Sequence, residues 1–158
     1  MSLFEDPRFQ WRETYFVLFR RQRRPDAPAT CRLLERLEQR FDLRDIRLDE
    51  HGRLESLTAC DPAAGAGVDL CYVAGQDVCE QVAEFVRDAD AGSDNLPPET
   101  CKELQQCDAR FEVFHFEAVD YLDEDDDQFD PGSLFEFLQE IEAYCGGTSI
   151  DPQSGTVV

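Results

Sequence analysis

The chain has 158 residues, a formal net charge of −20 and 42% hydrophobic residues, which is enough apolar material for one domain with a core. A charge this negative argues against nucleic acid and anionic membranes as partners, because both attract clustered Lys and Arg. No apolar run approaches the roughly 20 residues that a membrane-spanning helix needs. The first residues also lack the basic and apolar regions of a secretion signal, so we expect a cytoplasmic protein.

The cysteines predict neither a disulfide framework nor a zinc site. There are seven of them, an odd number, no Cys-x-x-Cys pair occurs, and only two histidines are present. We therefore expect reduced, mostly buried thiols and no cofactor.

The first strong element is a strand at residues 11–19, which follows a flexible lead-in at residues 1–10. Its centre, Tyr15 to Phe19, consists of five apolar residues in a row, which is typical of a strand buried on both faces. The strand ends in a basic loop that carries four arginines within five residues: Arg20, Arg21, Arg23 and Arg24.

Periodicity and turn signals divide the rest of the chain. Asp26 can cap a helix over residues 28–41, and we interpret a stripe of arginines on this helix (Arg32, Arg36 and Arg40) as solvated. Asp77 with Glu80 resembles the capping box of a second long helix. The other predicted elements are a hairpin over 43–60, a strand at 68–73, a short helix ending near 107, a strand at 111–116, a helix at 133–145 and a hairpin over 148–158.

This order, β-α-β-β-β-α-α-β-α-β-β, predicts an α+β domain over residues 11–158, with a mainly antiparallel sheet and helices packed on one face. The first part follows the ferredoxin-like order. Segments 11–60 and 109–158 share the order β-α-β-β, with Leu33, Leu34 and Leu37 matched by Phe137, Leu138 and Ile141. One interpretation is a duplication of these half-units; the other is that amphipathic helices before hairpins resemble one another.

Charge is divided unevenly along the chain. Residues 1–60 hold 12 basic and 11 acidic residues, whereas residues 61–158 hold 3 and 24. The acidic half is either a solvated surface that keeps the protein soluble or, in part, a surface that meets a basic partner.

Two loops and one histidine are candidate site residues. Arg20, Arg21, Arg23 and Arg24 could hold an anionic ligand, or they could be plain surface or internal partners of the acidic half. Asp123, Asp125 and Asp127 could bind Ca²⁺ or Mg²⁺, although Gln128 and Leu134 stand where an EF-hand needs Gly and Glu, so a solvated charge run is the alternative. His115, between Phe114 and Phe116, fits a satisfied core or edge histidine better than a catalytic base.

These observations favour a small interaction or regulatory protein without catalytic activity. It would act through a sheet edge or its charged loops, with a basic protein partner and as a homodimer. The alternative is a small-molecule binding protein or enzyme that holds an anionic ligand at the Arg20–Arg24 loop.

Overall fold

The computed structural model describes residues 2–91, 96–119 and 132–158. Its main elements follow the predicted order with bounds within a few residues of those expected. They are β1 (Phe9–Phe19), α1 (Ala27–Glu38), β2 (Asp42–Leu48), β3 (Leu54–Asp61), β4 (Ala66–Ala74), α2 (Gln76–Ala91), α3 (Pro98–Gln105), β5 (Ala109–Ala118), α4 (Gly132–Cys145), β6 (Thr148–Asp151) and β7 (Thr156–Val157). The described residues also include two short 3-10 helices, at Leu3–Glu5 and Arg21–Arg23.

The strands form one seven-stranded sheet in the order β2-β3-β4-β5-β1-β6-β7. Every pairing between the described strands is antiparallel. β1 pairs with β5 along its whole length, from Phe9 with Ala118 to Phe19 with Ala109, and a bulge at Arg12 interrupts the register. The α+β class and the antiparallel sheet are therefore confirmed.

The helices cover both faces of the sheet, so the prediction that they pack on one face is wrong. Val17 and Phe19 of β1 point into a core closed by α1 and α4. Phe16 and Leu18 point the other way, into a second core closed by α2 and α3. The reason lies in β1 itself: residues 16–19 are all buried, as the apolar run predicts, and a strand buried on both faces needs a layer on each.

The ferredoxin-like order is not confirmed, because β1 lies between β5 and β6 rather than beside a parallel strand. The two β-α-β-β segments also follow different paths. α1 carries the chain from β1 across three strands to β2, at the sheet edge, whereas α4 carries it from β5 across β1 alone to β6. Both half-units thus share the element order, but their strands do not take equivalent places in the sheet.

The N-terminal segment, defined here as residues 2–8, is packed against the sheet rather than being a flexible lead-in. The buried carboxylate of Asp69 accepts hydrogen bonds from the Ser2 hydroxyl (2.6 Å), the Leu3 N–H (2.9 Å) and the Thr58 hydroxyl (2.6 Å). Leu3 is 3% exposed and lies over Gly67, where an added Cβ would come within 2.6 Å of its Cδ1 atom. One buried acceptor on β4 thus holds the start of the chain in place.

The arginine stripe of α1 is only partly solvated. Arg36 pairs with Glu140 at 2.8 Å, and Arg40, two residues beyond the end of α1, pairs with Glu136 at 2.7 Å, so both guanidiniums contact α4. Arg40 also approaches Asp61, which accepts a 2.6 Å hydrogen bond from the Ser133 hydroxyl. Part of the basic first half therefore neutralises acidic residues of the second half within the chain.

Candidate functional site

A groove of about 490 Å³ runs between the C-terminal half of α2 and the turn that joins β6 to β7. It has an apolar floor, a rim on α2 and an opposite wall formed by the turn. The residues that line it are Phe16, Gln81, Glu84, Phe85, Asp88, Ala89, Ile150, Pro152, Gln153, Ser154 and Gly155.

The floor of the groove belongs to the core beneath α2. Phe16 and Ile150 are cross-strand partners in the β1–β6 pairing, and they are 9% and 3% exposed. Phe85 packs against the same core but remains half-buried. The floor is therefore apolar and largely buried, and one aromatic ring remains accessible above it.

The rim follows from the helical repeat of α2. Val78, Val82 and Val86 are buried, which turns Gln81, Glu84 and Asp88 outward, and all three are exposed. Residues three and four apart are neighbours on a helix surface. The two carboxylates and the amide therefore stand in one row along the groove.

The opposite wall is a turn with fixed geometry. Asp151 accepts hydrogen bonds from the Gln153 N–H (2.9 Å) and the Ser154 hydroxyl (2.9 Å). Gly155 has a φ of +72°, a conformation that glycine adopts without strain. The chain reverses here with its own side chains satisfied, so the wall is formed before any ligand arrives.

The groove carries charge of one sign. Among the described residues, its lining holds two carboxylates and no basic side chain. The last turn of α2 has no basic residue to offset the negative end of the helix dipole. Arg110 lies next to the floor, with its guanidinium 4.3 Å from the centre of the Phe16 ring. It is paired with Glu112 at 2.6 Å and bonded to Gln81, so its charge is neutralised internally.

A second depression, of about 370 Å³, lies beside the N-terminal segment. Its lining mixes acidic groups with Arg47, and the carboxylate of Asp69 is already fully engaged by Ser2, Leu3 and Thr58. This depression favours no single class of ligand. The groove beside α2 is therefore the better candidate site.

The four arginines of the basic loop have different surroundings in the structure. Arg24 has only 8% of its side chain exposed. It donates to the Leu54 carbonyl (2.9 Å), lies 3.6 Å from the centre of the Tyr72 ring and pairs with Asp49 at 3.5 Å. Arg24 is thus engaged by the fold, while Arg20 is half-buried and Arg21 and Arg23 are exposed. An anion site at this loop stays a prediction.

The acidic loop, with Asp123, Asp125 and Asp127, lies outside the described residues, so a cation site there also stays a prediction. Within residues 2–91, 96–119 and 132–158, no group of three or more His, Cys, Asp or Glu side chains is arranged to hold a metal ion.

His115 is a core histidine, 2% exposed, on a strand that lies between β4 and β1. Of the two expected placements, the core is confirmed and the sheet edge is not. Burial lowers the pKa of its imidazole to about 4, with a further contribution from the positive charge of Arg12. Its Nδ1 atom lies 3.5 Å from Glu13, whose own pKa is raised by burial. Arg12 is in turn paired with Glu117 at 3.2 Å. At neutral pH the histidine is therefore uncharged.

All seven cysteines are free. Cys60, Cys107 and Cys145 are buried, Cys31 is exposed and the other three are intermediate, so the expectation of mostly buried thiols holds for three positions. Burial raises the pKa of Cys107 to about 11 and that of Cys145 to about 12. These thiols stay protonated at neutral pH, which makes them poor nucleophiles.

The sequence placed none of the groove residues in a site. Two features of the sequence point to this surface: carboxylates recur along one face of α2, and the last turn of α2 contains no basic residue. Neither feature shows that the β6–β7 turn, some 60 residues later in the chain, lies opposite α2, because the order of the strands in the sheet determines this.

No protein-family model, curated protein or solved structure gives a significant match to the chain. Among the described helices, none has the length and apolar character to cross a membrane.

Proposed function

We propose that this is a small, non-enzymatic interaction protein that binds a basic segment of a partner protein in the groove between α2 and the β6–β7 turn. The proposal rests on one observation: two negatively charged side chains, Glu84 and Asp88, stand over an apolar floor of Phe16, Phe85 and Ile150.

Basic side chains match both parts of this surface. Lys and Arg have an apolar stem and a charged head, so the stem can cover the floor while the head meets the rim. The formal net charge of −20 extends the attraction beyond the groove and would raise the association rate of a basic partner. The seven free cysteines fit a reducing compartment, and we propose the cytoplasm as the place of this encounter.

The test is capture of the partner from lysate of the source cells with the immobilised protein. We expect the Glu84→Lys/Asp88→Lys variant to lose a partner that the wild-type protein retains. The matched control is Glu35→Lys/Glu38→Lys, because both residues are exposed on α1, on the opposite face of the sheet. It changes the net charge equally without touching the groove.

Salt gives the second readout. Capture should weaken strongly between about 50 mM and about 500 mM NaCl, since added salt shortens the range of electrostatic attraction from more than ~10 Å to less than ~5 Å. A partner that survives high salt, or that both double variants lose equally, would overturn the proposal. In the second case the net charge would drive binding, and the groove would not.

A further inference from the structure

We infer that the groove selects arginine over lysine in the partner segment. This inference rests on the proposed function and specifies the chemistry of its ligand. At the edge of the same groove, the chain already binds a guanidinium of its own, that of Arg110.

Arg110 shows how this surface holds a guanidinium. Its charged group lies over the ring of Phe16, 4.3 Å from the ring centre. Glu112 accepts from its Nη2 at 2.6 Å and from its Nε at 3.1 Å, and Gln81 accepts from Nη1. One aromatic face, one carboxylate and one amide oxygen therefore satisfy the planar fork.

The open groove presents two of these kinds of group, an aromatic ring and carboxylates, a second time. On α2, Phe85 lies four residues after Gln81 and three before Asp88, and Glu84 lies four before Asp88. Neighbours at these spacings have Cβ atoms about 5–6 Å apart. The half-buried Phe85 ring thus has the exposed carboxylate of Asp88 beside it, and the exposed carboxylate of Glu84 lies one turn before Asp88 along the same rim. The Gln81 amide is already bonded to Arg110.

This set of groups suits arginine better than lysine. A guanidinium is planar, carries five N–H donors in a fork and is weakly hydrated, so it can stack on a ring while bonding two carboxylates. An ammonium is a compact and strongly hydrated point charge. The negative end of the α2 dipole, which no basic residue of the last turn offsets, adds to the attraction for a bound cation.

The test uses three peptides that differ in one residue, acetyl-Gly-Gly-X-Gly-Gly-amide with X as arginine, lysine or citrulline. Each is titrated into the ¹⁵N-labelled 158-residue protein and followed by NMR. Citrulline keeps the shape of arginine but has no charge. We expect the arginine peptide to bind with a Kd on the order of 1 mM, with shifts confined to residues 81–89 and 150–155. Binding of lysine should be at least about threefold weaker, and citrulline should not bind.

Two groove variants and one control variant on α1 show which side chains are responsible for the preference for arginine. Glu84→Gln/Asp88→Asn should abolish arginine binding, whereas Glu35→Gln/Glu38→Gln on α1 should leave it unchanged. Phe85→Leu keeps both carboxylates and an apolar side chain, so it should reduce arginine binding to the level of lysine.

The outcomes separate this inference from the proposed function. Equal binding of the arginine and lysine peptides, no binding of either, or shifts away from the groove would overturn the selection of arginine. The proposed function would still stand if capture from lysate depended on Glu84 and Asp88. Loss of that dependence would overturn the proposed function whatever the peptides do.

Discussion

Replacing Asp69 with alanine should release the N-terminal segment from the sheet. The carboxylate of Asp69, 5% exposed, accepts three hydrogen bonds, from Ser2, Leu3 and Thr58. Two of these join the segment to the sheet, and the third holds Thr58 on the neighbouring strand. Alanine leaves all three donors without their acceptor.

The loss of stability in Asp69→Ala follows from these contacts. A hydrogen bond to a charged group contributes about 1.5–3 kcal/mol, but the Ser2 and Leu3 donors regain water once the segment detaches. What remains is the lost burial of Leu3, worth about 2 kcal/mol, and the unpaired Thr58 hydroxyl, worth about 1–2 kcal/mol. We expect the free energy of unfolding to fall by about 3–4 kcal/mol, which lowers Tm by about 6–16 °C in a chain of this size.

Urea unfolding followed by circular dichroism measures this loss, and limited trypsin digestion shows where it arises. Arg8 lies in the N-terminal segment, so cleavage after it should accelerate in Asp69→Ala before the domain unfolds. Asp151→Ala is the control, because Asp151 also accepts several hydrogen bonds, but only within its own turn. Stability and Arg8 cleavage equal to those of the wild-type protein would refute the assignment of Asp69 as the residue that holds the segment.

Two further predictions concern charge. Asp88→Lys should stabilise the fold by about 0.5–1 kcal/mol, because it replaces an acid by a base near the negative end of the α2 dipole, while it abolishes binding in the groove; a urea midpoint at or below that of the wild-type protein would contradict this. Acidification from pH 7 to pH 5 should cost about 2 kcal/mol through His115, because the pKa of the buried imidazole is about 4 and only the unfolded chain takes up the proton in that range. Glu13, whose pKa is raised by burial, acts in the opposite direction and offsets part of this loss. Urea unfolding at both pH values should show a smaller acid-induced loss in His115→Gln, and equal losses in the two proteins would exclude the histidine as the cause.

The order of the elements could be predicted because it depends on local patterns. The run from Phe16 to Phe19 indicated burial on both faces, and the repeats of α1 and α4 indicated their inward faces. These local patterns do not show on which face of the sheet each helix packs. Val78, Val82 and Val86 give α2 an apolar face, but such a face is the same whichever side of the sheet it covers.

The contacts that build the candidate site are long-range, which is why the sequence did not show them. Phe16, Phe85 and Ile150 meet only because β6 pairs with the first strand of the chain. In the sequence alone, Glu84 and Asp88 look like an ordinary solvated helix face. The N-terminal segment is a similar case, because two apolar residues carry no periodicity and the acceptor that holds them, Asp69, lies far along the chain.

The position of β1 also has a consequence for synthesis on the ribosome. β1 is made before the other described strands of its sheet, yet its partners β5 and β6 begin at Ala109 and Thr148. Until then its apolar run has no strand to pair with, and folding that depends on such distant contacts is slow. Charged residues that flank an apolar strand oppose its aggregation while the strand is unpaired, and Arg20, Arg21, Arg23 and Arg24 follow β1 directly.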